Sequence, residues 1–181
     1  MVMMAYHGTN LKKAEKIQET GFKCKKNAAH WLGNGIYFYL DEELAAWWAK
    51  TPKREYGSSV VHPVVIEADI AADDGNTIDT RILEHYNQLG RWFEKFYEQI
   101  ESLGESVTKE MHSDQLRCVF FDWLHANTSV DVVVAAFPKK DAGYMTKSPK
   151  QSFYLPYCEC QMCVFENDLI EIMRTIHLER E

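Results

Sequence analysis

The sequence predicts one domain of the α+β class, and three observations carry this prediction. The chain has 181 residues, which suits a single domain with a substantial hydrophobic core. Apolar residues make up 46% of the chain and charged residues 26%, as in ordinary folded proteins. Short β-prone runs occur towards both ends, whereas a long stretch with helical periodicity occupies the middle. Mixed strands with a helical block inserted among them favour the α+β class.

The first part of the chain is predicted to contain two short strands, each followed by a capped helix. Asn10 and Asp41 are suitable N-caps, Gly21 is a suitable C-cap, and Pro52 stops the second helix. The segment 23–34 has no clean period and is predicted to be a loop. In chain order the predicted elements are strand 3–6, helix 11–19, strand 35–40 and helix 42–50.

The middle of the chain is predicted to form a helical block over about residues 79–126. Apolar side chains recur there at steps of three and four residues, and Gly104 ends the first helix, which covers residues 79–103. A second helix is predicted over residues 112–126. The side chains that we expect to point inward from it are Leu116, Val119, Phe120, Trp123 and Leu124.

The remaining segments are predicted to be strands and one polar loop. They are strand 60–70, strand 130–137, loop 139–152, strand 157–165, and a closing strand or short helix over 168–176. The sequence shows no internal repeat and no low-complexity tract, so a single domain over residues 1–181 explains the pattern.

The charge distribution argues against a protein whose whole surface grips nucleic acid, because the net charge is −7. Lysines nevertheless form two groups, and if these meet in space they attract a phosphate-bearing ligand. The first group is Lys12, Lys13, Lys16, Lys23, Lys25 and Lys26, and the second is Lys139, Lys140, Lys147 and Lys150.

Compartment and membrane contact are predicted from what the sequence lacks. No stretch approaches the ~20 apolar residues that span a bilayer, and residues 1–6 lack the basic leader of a signal peptide. An odd count of five cysteines cannot make a complete disulfide framework. We therefore predict an intracellular, cytoplasmic protein with no membrane partner.

Three separated motifs carry a family resemblance. Residues 6–9 read Tyr-His-Gly-Thr, residues 31–38 read Trp-Leu-Gly-Asn-Gly-Ile-Tyr-Phe, and the strand 159–165 follows near the end of the chain. Their order and composition resemble the ADP-ribosyltransferases of the diphtheria-toxin-like and poly(ADP-ribose) polymerase-like branch, the H-Y-E type. The resemblance spans most of the chain and implies a split antiparallel β-sheet with flanking helices. The helical block at about 79–126 looks like an insertion into that fold.

The resemblance implies that NAD is the co-substrate and assigns residues to it. His7 would bind a hydroxyl of the adenosine ribose, the backbone of Gly8 would bind the nicotinamide amide, and Tyr37 would stack on the nicotinamide ring. A second aromatic residue usually follows that tyrosine by eleven positions, which is Trp48 here, with Trp47 as the alternative. Thr9 and Gly35 belong to the same NAD-binding motifs.

The third motif leaves the catalytic side chain open. Strand alternation puts Glu159, Gln161 and Cys163 on one face and Cys158, Cys160 and Met162 on the other. One register with the family strand places Gln161 where the catalytic glutamate stands, and a shift of two residues places Glu159 there. Either Glu159 is the working carboxylate, or the two side chains act together, or transferase activity is reduced or lost.

The resemblance implies a mono-ADP-ribosyltransferase that moves ADP-ribose from NAD to a macromolecular acceptor, protein or nucleic acid. Single-domain enzymes of this size resemble the toxins of toxin–antitoxin and phage-defence systems, which implies an antitoxin protein as a partner. Two alternatives stay open. One is an NAD-dependent RNA 2′-phosphotransferase, for which the sequence has no matching arginine-rich motif. The other is a catalytically silent module that binds NAD or ADP-ribose, which Gln161 motivates.

Three cysteines in the last motif suggest a metal site at first sight. Cys158, Cys160 and Cys163 lie within six residues, but no second C-x-x-C pair accompanies them. Strand alternation also sends their sulfur atoms to opposite faces. We therefore predict small buried apolar side chains there and no bound metal.

Overall fold

The computed structural model describes residues 1–28, 30–51, 62–102, 112–138 and 158–179. Within these ranges one seven-stranded sheet is accompanied by four α-helices. The strands are β1 Val2–Asn10, β2 Ile36–Tyr39, β3 Pro63–Ala71, β4 Thr77–Asp79, β5 Val132–Pro138, β6 Cys158–Val164 and β7 Ile170–His177. The helices are α1 Leu11–Thr20, α2 Glu42–Lys50, α3 Leu83–Glu101 and α4 Ser113–Asn127, and a 3₁₀ turn covers Asn167–Leu169.

The sheet has the strand order β4-β5-β6-β2-β1-β3-β7. Only β4 and β5 are parallel among the described pairs, and the other neighbours are antiparallel. A mixed sheet with helices agrees with the predicted α+β class.

The junction between β1 and β2 is the weakest pairing in the middle of the sheet. β1 pairs with β3 over its whole length, and β2 pairs with β6 at each of its four residues. By contrast, β1 and β2 are in register at Tyr6 and Tyr39. The two strands are held further along by a side chain, because His7 Nδ1 lies 2.8 Å from the carbonyl oxygen of Tyr37. The sheet thus consists of two well-paired parts that meet at a narrow join.

The first two helices have the predicted caps. Asn10 Oδ1 accepts from the backbone N–H of Lys13 at 3.0 Å, and Gly21 ends α1 with φ +74°. Asp41 Oδ1 accepts from the backbone N–H of Leu44 at 3.2 Å and starts α2. Pro52, predicted to stop this helix, lies outside the described residues.

The start of the helical block was predicted wrongly. Residues 77–79 form β4, parallel to β5, and α3 begins only at Leu83. Asp79 does not cap the helix, because its carboxylate accepts from the backbone N–H and the guanidinium of Arg81, which makes a turn before α3. A three-residue strand is too short to show a period of two.

The inward face of α4 also differs in part from the prediction. His112 caps this helix with a capping box to Gln115, which fits the predicted start. The buried side chains are Cys118, Phe120, Phe121 and Leu124, whereas Val119 is 37% exposed and Leu116 and Trp123 are half-buried. Val119 points away because the sheet is covered by the neighbouring stripe of the helix.

The other predicted strands are present. β5 begins at Val132 rather than at residue 130, and the closing segment is the strand β7 rather than a helix. The predicted starts of β3 and β6, at residues 60 and 157, lie outside the described residues. The predicted loop 139–152 lies outside the described residues. No helix in the described ranges has the length and apolar character needed to cross a membrane.

The core consists of two clusters that the sheet separates. Phe22, Phe38, Ile66 and Met162 belong to the first cluster. The second contains Leu32, the buried face of α4 and Phe96 of α3, together with Val133 and Cys163. Alternation along β6 explains the division, since Met162 and Cys163 face opposite sides. Each fully buried large side chain contributes roughly 1.5–3 kcal/mol relative to exposure.

Candidate functional site

Two adjoining cavities open at the join between β1 and β2. The first has a volume of about 460 Å³ and the second about 510 Å³. Both volumes lie in the range of small-molecule sites. The residues that line both cavities are His7, Gly8, His30, Tyr37 and Trp48. The two spaces therefore share a wall that contains most of the residues predicted from the first two motifs.

His7 is held in one orientation from two sides. A carbonyl oxygen only accepts, so the 2.8 Å contact with Tyr37 O requires Nδ1 to carry the proton. The imidazole ring packs edge-on against Phe22 and Phe38, at centroid distances of 5.2 and 5.8 Å. These contacts direct the ring into the join, where it lines both cavities.

Gly8 permits the close approach of α2. A Cβ atom at Gly8 would overlap the carbonyl oxygen of Ala45 and lie 3.0 Å from the backbone nitrogen of Ala49. The missing side chain is thus required by the packing of α2 against β1. Thr9 follows as a buried polar residue and lines the second cavity.

Tyr37 is fixed by its hydroxyl group. The hydroxyl oxygen accepts from the backbone N–H of Leu32 at 2.6 Å and donates to the carbonyl of Gly33 at 3.0 Å. Burial raises the pKa of Tyr37 well above its ordinary value, so the hydroxyl is neutral at physiological pH. The aromatic ring is therefore held at the shared wall of the two cavities.

The tryptophans of α2 do not serve as core. Leu44, Ala45 and Ala49 form the buried face of this helix. Trp47 is 49% exposed and Trp48 is 41% exposed. Trp48 lines both cavities and Trp47 only the first, which fits the predicted preference for Trp48 as a ligand contact. Exposed tryptophans beside a cavity are typical of ligand-binding surfaces.

Glu159 and Gln161 share one face of β6, as predicted, and both line the first cavity. Gln161 Nε2 donates to Glu159 Oε1 at 3.0 Å, so the carboxylate and the amide form one hydrogen-bonded pair. Cys163 continues this face but is buried against Gly35, where an added Cβ would lie 2.5 Å from the sulfur. Gly35 itself lines the second cavity. On the other face, Cys160 Sγ lies 3.7 Å from the guanidinium of Arg81.

Tyr39 and Trp31 complete the first cavity, and sequence reasoning did not single them out as site residues. Burial, and secondarily the charge of Glu159, raise the pKa of Tyr39 to about 12. The period of two along β2 could have identified Tyr39, since it shares the face of Tyr37. Trp31 is 41% exposed and its ring packs 4.9 Å from that of Phe137, the residue in register with Glu159.

The second cavity is basic. Lys13 and Lys16 of α1 line it, together with Lys23 and Lys25 of the following loop. Four of the six lysines in the first predicted group thus converge on one space. The second lysine group lies outside the described residues. A concave surface lined by lysines attracts phosphate groups.

A histidine and two carboxylates lie together behind the site. The ring nitrogens of His125 lie 3.1 Å from Asp131 Oδ1 and 3.2 Å from Glu166 Oε1, and the imidazole stacks on Phe165 at 4.5 Å. These are the residues of the described ranges whose grouping is compact enough for a metal ion. A neutral imidazole donates through one ring nitrogen, and Nδ1 also lies 3.2 Å from the carbonyl oxygen of Val130, so the ring already has acceptors of its own within the protein.

Comparison with known proteins finds a distant relative of the chain. No family model matches the chain. An uncharacterized protein of Methanocaldococcus jannaschii is similar to it, with 27% identity over 98% of this chain and 89% of the archaeal protein. The similarity therefore extends across the helical block as well as the strands.

Proposed function

We propose that the protein is an ADP-ribosyltransferase that uses NAD as co-substrate and has the split-sheet fold of that superfamily. The observation that carries the proposal is the pairing of an aromatic cavity with a lysine-lined cavity across the wall formed by His7, Gly8, Tyr37 and Trp48. NAD is divided in the same way, because its flat cationic nicotinamide ring would suit the aromatic cavity and its pyrophosphate would suit the lysine-lined cavity.

The aromatic cavity suits the nicotinamide end. Tyr37 and Trp48 offer aromatic faces to a pyridinium ring, and desolvated cation–π contacts of this kind stabilise by about 1–2 kcal/mol. The Tyr37 ring is already fixed by its hydroxyl before a ligand arrives, which lowers the entropy lost on binding. The backbone of Gly8 lies on the same wall and is the group that we assign to the nicotinamide amide.

The basic cavity suits the phosphates and the adenosine. Lys13, Lys16, Lys23 and Lys25 supply positive charge, and Thr9 supplies a hydroxyl group. His7 stands between the two cavities, where it is assigned to a ribose hydroxyl. The two adjoining volumes of about 460 and 510 Å³, one mainly aromatic and one lysine-lined, offer separate spaces to the two ends of NAD.

Glu159 is assigned the stabilisation of positive charge on the ribose. In the transfer step the acceptor forms a bond to C1′ of the ribose, while the bond from C1′ to nicotinamide breaks and its electron pair leaves with neutral nicotinamide. The Glu159 carboxylate stabilises the cation-like ribose and takes the acceptor proton. Gln161 holds that carboxylate through its amide and remains able to bind a ribose hydroxyl.

The first test is release of nicotinamide, together with transfer of label from adenylate-labelled NAD into a cell lysate. Treatment with nuclease or protease then identifies the acceptor as nucleic acid or protein. We expect His7→Ala and Glu159→Gln to abolish label transfer. Glu171→Gln is the matched control, because it removes an exposed carboxylate from β7 at the far edge of the sheet.

A catalytically silent binding module is the second candidate, and the bond from Gln161 to Glu159 favours it, since one carboxylate oxygen is already engaged. Wild-type protein that binds NAD but neither releases nicotinamide nor transfers label would establish the silent module. Absence of NAD binding would refute the transferase, and absence of binding to both NAD and ADP-ribose would also refute the silent module.

A further inference from the structure

The turn that precedes β2 is anchored to the helical block by one carboxylate. Asp122 of α4 accepts from the backbone N–H of Asn34 and from its side-chain amide, both at 2.6 Å. Two short bonds from a single residue to a carboxylate fix both the backbone and the side chain of Asn34. The turn is thereby attached to a helix that is distant in sequence.

The same turn holds the hydroxyl group of Tyr37. Leu32 donates its backbone N–H to the hydroxyl, and Gly33 accepts from the hydroxyl through its carbonyl. A displacement of residues 32–34 therefore moves the backbone groups that bond to the Tyr37 hydroxyl. The Tyr37 ring, which lines both cavities, would move with them.

Asn34 also connects to the loop that lines the second cavity. Its Oδ1 accepts from the backbone N–H of Asn27 at 2.8 Å and lies 3.1 Å from His30 Nδ1. Asp122 thus holds a residue whose backbone belongs to the tyrosine turn and whose side chain bonds to the loop before it. The position of Gly33, with φ +88° and Asp122 Oδ1 close by, leaves the turn little room to move without the helix.

We infer that Asp122 is a positioning residue, and that through Asn34 it sets the Tyr37 ring for the ligand. The helical block then completes the site rather than merely enlarging the domain. The ligand-binding part of this inference rests on the proposed use of NAD, whereas the structural part is independent of it.

Asp122→Asn is the informative variant, since it keeps the shape of the side chain, removes its charge and replaces one of the two acceptor oxygens with an NH₂ group that cannot accept from Asn34. Asp114→Asn is the matched control, because it neutralises a carboxylate on the same helix that pairs with Arg117 and does not contact the turn. Two quantities are measured: hydrogen exchange at the amides of Leu32 and Asn34 without ligand, and the dissociation constant of NAD.

We expect Asp122→Asn to speed exchange at both amides by about tenfold or more and to weaken NAD binding by about tenfold. Asp114→Asn should leave both quantities as in the wild type. In a Tyr37→Phe background, where the hydroxyl link is absent, Asp122→Asn should weaken NAD binding by much less than tenfold.

The outcomes separate this inference from the proposed function. If wild-type protein binds no NAD, the proposed function fails, and exchange at Leu32 alone decides whether Asp122 holds the tyrosine turn. Faster exchange at Asn34 with unchanged exchange at Leu32 overturns the inference, as does full additivity of the two substitutions on NAD affinity. If Asp122→Asn does not fold, Asn34→Ala removes the side-chain bond to Asp122 together with those to Asn27 and His30 and keeps the backbone one, and unchanged exchange at Leu32 in that variant overturns the inference.

Discussion

Gly33→Ala is expected to destabilise the protein strongly, for two separate physical reasons. Gly33 has φ +88°, and a non-glycine residue there costs about 1–3 kcal/mol of backbone strain. An added Cβ would also lie 2.8 Å from Phe165 Cζ and 2.9 Å from Asp122 Oδ1, which costs about 1–3 kcal/mol of overpacking. The lower entropy of the unfolded chain offsets about 0.4–1 kcal/mol, so the net loss is about 1–5.6 kcal/mol.

Two other glycines separate these costs. Gly21 also has a positive φ, of +74°, but the atom nearest to a Cβ added there is Asn167 Oδ1, at 3.8 Å. Gly21→Ala therefore incurs the backbone strain alone. Gly90 lies within α3 and nothing stands within 4 Å of an added Cβ. Gly90→Ala should therefore stabilise the protein by about 0.5–1 kcal/mol through helix propensity.

The stability of all three variants is measured by equilibrium unfolding in urea, followed by circular dichroism. If the free energy of unfolding falls with urea concentration at the same slope in each variant, the midpoint concentrations can be compared directly. The expected order of stability is Gly90→Ala, wild type, Gly21→Ala and Gly33→Ala. A Gly33→Ala protein as stable as Gly21→Ala would refute the packing argument. A Gly21→Ala protein as stable as the wild type would refute the backbone argument.

Three further outcomes follow from individual contacts. Trp48→Ala should weaken NAD binding, measured by calorimetry, by about 5- to 30-fold. Trp47→Ala should weaken it by less, because Trp47 lines the first cavity and Trp48 lines both. Equal effects of the two substitutions would contradict the assignment of Trp48. Burial alone would raise the pKa of Asp79, but the hydrogen bonds and charge of Arg81 hold it below its usual value. A depressed carboxyl pKa contributes stability above the unfolded value near 3.9 that is lost as the pH falls through the folded pKa. Arg81→Gln should therefore reduce the loss of stability on acidification below about pH 4, measured as melting temperature against pH, and an unchanged acid profile would contradict this pairing. Asn10→Ala should cost about 1 kcal/mol in urea unfolding through loss of the helix cap, and a cost near zero would show that the cap is dispensable.

Local signals in the sequence predicted the elements whose causes are local. The caps at Asn10 and Asp41 and the terminating Gly21 act within four residues, so α1 and α2 were predicted with nearly correct bounds. The strand β4 was missed because three residues carry no period, and its pairing with β5 is a tertiary effect.

The candidate site depends on contacts that no local pattern specifies. Tyr37 pairs in register with Cys163, which brings the β6 face with Glu159 and Gln161 beside the tyrosine. The motif resemblance anticipated this grouping of residues, whereas composition and periodicity alone did not. The contact of Asp122 with Asn34 spans 88 positions and has no signal in the sequence.

A single mechanical constraint connects these features. The join between β1 and β2 has one register pair, so pairing between these two strands does little to fix His7 and Tyr37 relative to each other, although each strand is fully paired on its other side. Each residue is instead held by a contact outside the sheet ladder: His7 by the carbonyl of Tyr37 and two phenylalanine rings, and Tyr37 by the turn that Asp122 anchors. Where two neighbouring strands share so few backbone pairs, rigidity has to come from side chains and from elements packed against the sheet. The helical block supplies the second of these, which gives a physical reason for its place beside the cavity.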